Sequence, residues 1–149
     1  MADIIIRDAR LEDAFMLAKL NREEMGYEYP VDETRRKLEA LLAGDRDKIL
    51  VAEIDGMVVG YVHLNGYDVL YADHMKNIMG IAVSLACRRM GIGGKLLTAA
   101  EAWAREDGAG GVRLVSGESR TEAHAFYRAL GYNGSKMQLN LKKSFDIVK

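Results

Sequence analysis

The residues Arg88-Arg89-Met90-Gly91-Ile92-Gly93-Gly94 separate an apolar, strand-like run from a helical pattern. The run is Ile78-Met79-Gly80-Ile81-Ala82-Val83, and the helical pattern extends from Lys95 to Asp107. A strand that turns through glycines directly into a helix fixes the order and the connection of both elements. Glycine lets the backbone curl until successive N–H groups face one way. A helix beginning at that point adds its own unpaired N–H groups and the positive end of its dipole. The combination is a seat for a phosphate or pyrophosphate.

Two familiar phosphate loops do not fit. A Walker A loop needs G-x-x-x-x-G-K-[ST], and here Arg89 stands at the first glycine position and Leu96 at the hydroxyl position. A dinucleotide fingerprint needs G-x-G-x-x-G, and Leu96 replaces its third glycine. What remains is R-x-x-G-x-G between strand and helix. One helix and one strand later comes Ala123-His124-Ala125-Phe126-Tyr127-Arg128-Ala129-Leu130-Gly131-Tyr132, an A-x-x-F-Y-x-x-x-G-Y element. The two motifs, in this order, resemble the acetyl-CoA-binding elements of the GNAT N-acetyltransferase superfamily. The resemblance covers nearly all of the chain.

Bulk properties agree with an enzyme of that kind. The 149 residues suggest a single domain spanning residues 1–149, long enough to bury a core. An apolar content of 49% and a charged content of 29% describe an ordinary soluble protein. A net charge of -1 gives no reason to expect nucleic acid or a membrane as partner. The apolar run at Ile4-Ile5-Ile6 is too short for a secretory signal. The single cysteine, Cys87, excludes an internal disulfide and suits a reducing compartment, so a cytoplasmic location is expected. With no base placed beside it, Cys87 reads as a small packing residue. No His/Cys/Asp constellation suggests a metal.

Periodicity and punctuation give the elements. Ile4–Asp8 reads as a strand, and Leu11 to about Met25 as a helix, with Leu11, Ala14, Phe15 and Ala18 at helical spacing. A second helix, capped by Asp32 or Thr34, runs to about Ala43 with Leu38, Leu41 and Leu42 inward. Lys48 to Ile54 and Met57 to Asn65 form a hairpin about Asp55-Gly56, extended toward Leu70. Asn77 to Val83 is the next strand, followed by the helix ending near Gly108. Val112 to Ser116 is a strand, Thr121 to Leu130 a short helix closed by Gly131, and Lys136 to Leu141 alternates as a last strand. The residues argue an α+β fold. The resemblance adds a mixed, mostly antiparallel central sheet flanked by helices, with splayed central strands.

The resemblance also assigns roles. Arg88 and the backbone of Arg89, Met90, Gly91, Ile92, Gly93 and Gly94 would hold the pyrophosphate, with the charge of Lys95 adjacent. Ile81, Ala82 and Val83 would offer their backbone to the pantetheine arm, Ile81 N–H lying near the acetyl oxygen. The family often has proline where this chain has Leu85, a change that removes no backbone donor. Tyr127 would protonate the leaving thiolate. Arg120, Ala123, His124 and Tyr127 share one helical face, which would point toward the cofactor. Arg120 stands where the family often has asparagine, and either a phosphate contact or a pair with Glu118 would occupy it. His124 reads better as a packing histidine.

A proton acceptor is also needed. A lysine-like amine of pKa about 10.4 is neutral in roughly one molecule in 2,500 at pH 7, a deficit of about 4.6 kcal/mol. Glu118, just past a strand, is the first candidate, with Asp73 and His74 behind it. Tyr27, Glu28 and Tyr29, with Asp32 and Glu33, form an acidic, aromatic segment where the family commonly walls its acceptor site. Tyr67, Asp68 and Tyr71 repeat the theme. Such a surface favours a cationic amine.

The expectation is therefore an acetyl-CoA-dependent N-acetyltransferase. It would act on a small cationic primary amine by direct attack in a ternary complex, as a monomer or homodimer. The alternatives are a CoA-binding sensor module without catalysis, and an acetyltransferase of protein lysines or N-termini.

Overall fold

The computed structural model describes residues 3–117, 120–134 and 136–145. Its elements are β1 (Ile4–Asp8), α1 (Ala14–Met25), α2 (Val31–Ala43), β2 (Asp47–Ile54), β3 (Met57–Val69), β4 (Ala72–Val83), α3 (Ile92–Glu106), β5 (Val112–Arg113) and α4 (Thr121–Ala129). The strands lie in the order β1-β2-β3-β4-β5. The first three pairings are antiparallel and β4–β5 is parallel, giving the mixed α+β sheet expected. The chain divides into two compact units, one reaching Val115 and the other beginning at Ser116.

In the first unit the sheet carries helices on both faces. Leu17 and Leu20 of α1 and Leu38 of α2 pack with Ile49, Val51, Val58 and Tyr61. On α3, Ile92, Leu96, Leu97, Ala100 and Ala104 form one buried stripe at helical spacing. Gly60 lets α3 approach: a Cβ there would stand 3.1 Å from Ala82 O and 3.3 Å from Ile92 Cγ2. The far end of α3 is tied to β4 by Lys76, almost fully buried, whose ammonium bonds Asp107 and lies 4.3 Å from the centre of the Trp103 ring. Arg7 performs the same service on the other side. It bonds Asp13 at 2.9 and 3.0 Å and Glu53 at 2.6 Å, joining β1, the start of α1 and β2.

Turn chemistry explains the connections. Asp55 (φ 52°) and Gly56 (φ 79°) are both left-handed, as a two-residue hairpin turn matching strand twist requires. Gly26, at φ 75°, ends α1. Pro30, not Asp32 or Thr34, occupies the cap position of α2, and the Thr34 hydroxyl instead donates to Pro30 O at 3.0 Å.

Other expectations are corrected. Helix α3 begins at Ile92 rather than Lys95, so Gly93 and Gly94 belong to its first turn. Strand β4 begins at Ala72, placing Asp73 and His74 within it. Strand β5 ends at Arg113, short of Ser116. Residues 136–141 form no strand: alternation supplies an amphipathic face, but a strand exists only where a neighbour accepts its ladder. Phe15 and Leu42 point outward, while Leu38 is buried.

Candidate functional site

The turn after β4 is built to expose N–H groups. Arg89 (φ 69°) and Gly91 (φ 78°) both take left-handed backbone, curling the chain into α3. The first helical bond runs from Lys95 N–H to Gly91 O at 3.0 Å. The N–H groups of Ile92, Gly93 and Gly94 therefore precede the first intrahelical bond, and Gly91 caps the helix without a side-chain acceptor. Ile92 is buried and anchors the turn, while Gly93 and Gly94 leave the backbone bare. A Cβ on Gly94 would meet nothing within 4 Å, so the space beside its Cα is open. Arg88 is exposed and its guanidinium bonds Glu24 Oε1 at 3.3 Å. Glu24 Oε2 accepts from Leu85 N–H at 3.0 Å, fixing the start of the turn. Nothing local in the sequence marks Glu24 for this bracing role, because its partners lie 61 and 64 residues away. Lys95 is exposed beside the turn.

Within the first unit, the strand leading into the turn has a side without a ladder partner among the described residues. Pairing between β4 and β5 joins Lys76 to Val112 and Asn77 to Arg113 and, among the described residues, goes no further. On the other side, β4 pairs with β3 as far as Val83. Ile78 opposes Leu64 and Gly80 opposes His63, so Met79 is an extra residue, a β-bulge. Lys76 N–H points to β5, where it bonds Gly111 O at 3.0 Å. Following the alternation through the bulge, Ile81 and Val83 direct their N–H groups away from β3, past the end of the β5 pairing. Ser84 N–H returns to β3, bonding Val59 O at 2.8 Å. Ile81, Ala82 and Val83 thus form the splayed strand end expected, with donors facing outward along the line that leads to Arg88.

On the α1 face of the same strand lies a group that sequence did not single out. Tyr61 is buried, and its hydroxyl donates to Asn21 Oδ1 at 2.5 Å. Burial pushes the phenol up to about 12, against the opposing pull of the Asn21 bond. Gly80 lies beside it. His63, opposite Gly80, holds Asp47 Oδ1 at 2.8 Å through Nε2. Tyr27 N–H bonds Asn21 O at 3.0 Å, so the same asparagine anchors the segment beyond α1. Tyr27, Glu28 and Tyr29 are all exposed. Lys37 stands 5.6 Å from the centre of the Tyr29 ring, so that ring already faces a cation. Tyr67 carries Arg113 at 4.2 Å, and Asp68 is paired with His74 at 2.8 Å.

In the second unit, α4 places Tyr127 inward. It is the buried residue of that helix, with ring centres of Phe126 and Tyr132 at 5.3 and 6.0 Å. Burial pushes its phenol up, with the charge of Arg120 acting in the opposite sense. Arg120 is exposed and precedes the helix, and Ala123 is half-buried. His124 Nε2 meets Gly117 O at 2.8 Å, the packing role read for it. Glu118, the first candidate base, lies outside the described residues. His74 is committed to Asp68, with Asp107 at 3.7 Å from its other nitrogen.

Comparison with known proteins agrees with this fold. The acetyltransferase (GNAT) family model matches residues 14–132. An uncharacterised N-acetyltransferase of Chlorobaculum tepidum is 30% identical over 131 residues, covering 88% of this chain and 76% of its own. Among solved structures, a transcriptional regulator from Bacillus halodurans C-125 superposes with a TM-score of 0.85 at 21% identity, over 95% of this chain and 100% of that one. The aminoglycoside N-acetyltransferase AAC(6')-Iy, in complex with CoA, gives a TM-score of 0.86 at 18% identity over 96% of each chain. The chain belongs to the acetyltransferase (GNAT) family and is an acyltransferase.

Proposed function

We propose that this acetyltransferase moves the acetyl group of acetyl-CoA to a primary amine on a small cationic molecule, by direct attack in a ternary complex. One observation carries the reading: the outward N–H groups of Ile81 and Val83 lead without interruption into the bare amides at the start of α3. A strand-like pantetheine arm fits the first, a pyrophosphate the second. Acetyl-CoA supplies an activated thioester; the amine nitrogen bonds the acetyl carbon, the carbon–sulfur bond breaks, and one amine proton is released.

Each residue then has a task. Gly91 sets the curl, Ile92, Gly93 and Gly94 donate to phosphate oxygens, and Arg88, Arg89 and Lys95 add charge. Met90 belongs to the same turn. Ile81 N–H faces the oxyanion as it forms, a donor that needs no rearrangement. Tyr127 returns a proton to the thiolate. Its burial keeps the phenol protonated, and a thiol of pKa about 8.5 leaves with modest help. Tyr27, Glu28 and Tyr29 gather the cationic acceptor, a class consistent with the aminoglycoside enzymes among the structural neighbours. Ala123 lies on the helix that carries Tyr127, and Arg120 caps its start. Glu118 stands as a candidate to take the amine's proton, and the His63–Asp47 pair is a second, oriented as a carboxylate orients a general base.

The test is thiol release from acetyl-CoA with pooled amines: polyamines, amino sugars, aminoglycosides, amino acids and peptides with free N-termini. Release that depends on a small polycationic amine is expected. Release with peptides alone would move the acceptor to protein.

A further inference from the structure

Gly80 follows the bulge at Met79, where glycine is common, yet no positive φ requires one. It sits inside β4, where glycine weakens a strand. Gly60 on the neighbouring strand is different, because a Cβ there would collide with Ala82 O and Ile92. A Cβ on Gly80 would meet Tyr61 Oη at 3.4 Å and Met25 Cε at 3.9 Å, ordinary contacts, and nothing else within 4 Å. An alanine would fit. What the glycine leaves is backbone without a side chain beneath the Tyr61 hydroxyl, between the bulge at Met79 and the splayed residue Ile81.

The hydroxyl over Gly80 is arranged to accept. Its proton is committed to Asn21 Oδ1 at 2.5 Å, which leaves acceptor capacity on Oη. The backbone carbonyl of Asn21 receives Tyr27 N–H at 3.0 Å, which holds the part of α1 that carries this amide. The phenol is pushed up to about 12, so it stays protonated and does not serve as a base. A neutral primary amine carries two N–H groups and one lone pair. Giving one N–H to Oη turns the lone pair away from the tyrosine.

We infer that Tyr61, held by Asn21 over the bare face of Gly80, receives an N–H of the acceptor amine and sets the line along which the nitrogen meets the acetyl carbon. Tyr61 is thus a positioning residue for the acceptor, and Gly80 is the floor that admits it. The inference rests on the proposed acetyl transfer at Ile81.

The experiment measures kcat and KM with spermidine, kanamycin and glucosamine as acceptors, and acetyl-CoA affinity by calorimetry. Tyr61→Phe keeps the ring and removes the hydroxyl. It is expected to lower kcat/KM for the amine 10- to 100-fold with acetyl-CoA affinity unchanged, the range of about 1.4–2.7 kcal/mol for one lost hydrogen bond at a reacting group. Gly80→Ala puts a methyl group against the Tyr61 hydroxyl and is expected to raise the amine KM at least tenfold. Asn21→Asp retains an acceptor for the hydroxyl and is expected to keep most of the activity, whereas Asn21→Leu should reproduce Tyr61→Phe. Wild-type kcat/KM in both Tyr61→Phe and Gly80→Ala would overturn the inference. So would a loss of acetyl-CoA affinity in Tyr61→Phe that accounts for the whole effect, since the tyrosine would then merely support β4. Silence of the wild-type protein with all three amines, while pooled peptides release thiol, would refute the small-amine reading and this inference with it.

Discussion

The turn at Arg88–Gly94 and the face at Gly80 lie at the two ends of one strand terminus, yet they are built from different material. The turn is backbone: bare amides, two left-handed residues and a helix start, all contiguous in the chain. The Gly80 face is side chain: a phenol from β3 and an amide from α1, set over a glycine on β4. Backbone recognition is indifferent to most side chains but intolerant of bulk. Side-chain recognition is chemically selective and fails when a single atom is removed. A transferase that meets one donor and must choose among acceptors benefits from that division, since the donor half can stay fixed while the acceptor half varies.

The largest test of the contrast is Gly93→Glu. Glutamate is favourable in a first helical turn, so the fold should survive. Its carboxylate would occupy the phosphate seat, and calorimetry should find no acetyl-CoA binding. Unchanged affinity would remove the turn from the donor site. Next comes Tyr127→Phe, which leaves both halves intact. It should lower kcat about 10²-fold, near the low end for a general acid, with donor affinity retained. Unaltered turnover at saturating substrates would take Tyr127 out of the chemistry.

Asp13→Asn serves as a control outside both regions. Burial favours its neutral form, but the Arg7 hydrogen bonds and the Arg10 N–H overrule it and hold the carboxyl below its usual range. A carboxylate depressed in the folded state contributes stability above its unfolded pKa of about 3.9, and loses it as pH falls through the lower folded value. The substitution should cost about 3 kcal/mol at pH 7, the low end for breaking a buried pair, and should flatten the acid limb of the stability profile. Denaturant midpoints at pH 7 and pH 3 check both. The smallest effect is expected from Glu28→Gln, a several-fold rise in KM for a cationic acceptor at low salt that vanishes at high salt. A salt-independent change would show that Glu28 acts by contact.

Legibility followed the same division. The turn was readable because its parts are neighbours in sequence, and a strand, an arginine, glycines and a helical stripe suffice to announce it. Even so, the helix start lay at Ile92, since glycine in a first turn looks like loop to a propensity reading. The hairpin at Asp55-Gly56 was readable for its backbone demand. Lys136–Leu141 misled because alternation records a face and not a partner. Asn21, Tyr61 and Gly80 were silent because their meeting depends on the register of β3 against β4, on a bulge at Met79 and on where α1 ends. None of these leaves a local mark. Glu24 was hidden likewise, an acidic residue whose partners, Leu85 and Arg88, come from a distant segment.

The measurement closest to the centre of the account is acceptor-dependent release of CoA thiol from acetyl-CoA, read beside direct binding of acetyl-CoA. The account requires binding that Gly93→Glu abolishes, and release that begins when a small cationic amine is added. Binding that survives Gly93→Glu, or tight binding with no release for any amine pool, would contradict it.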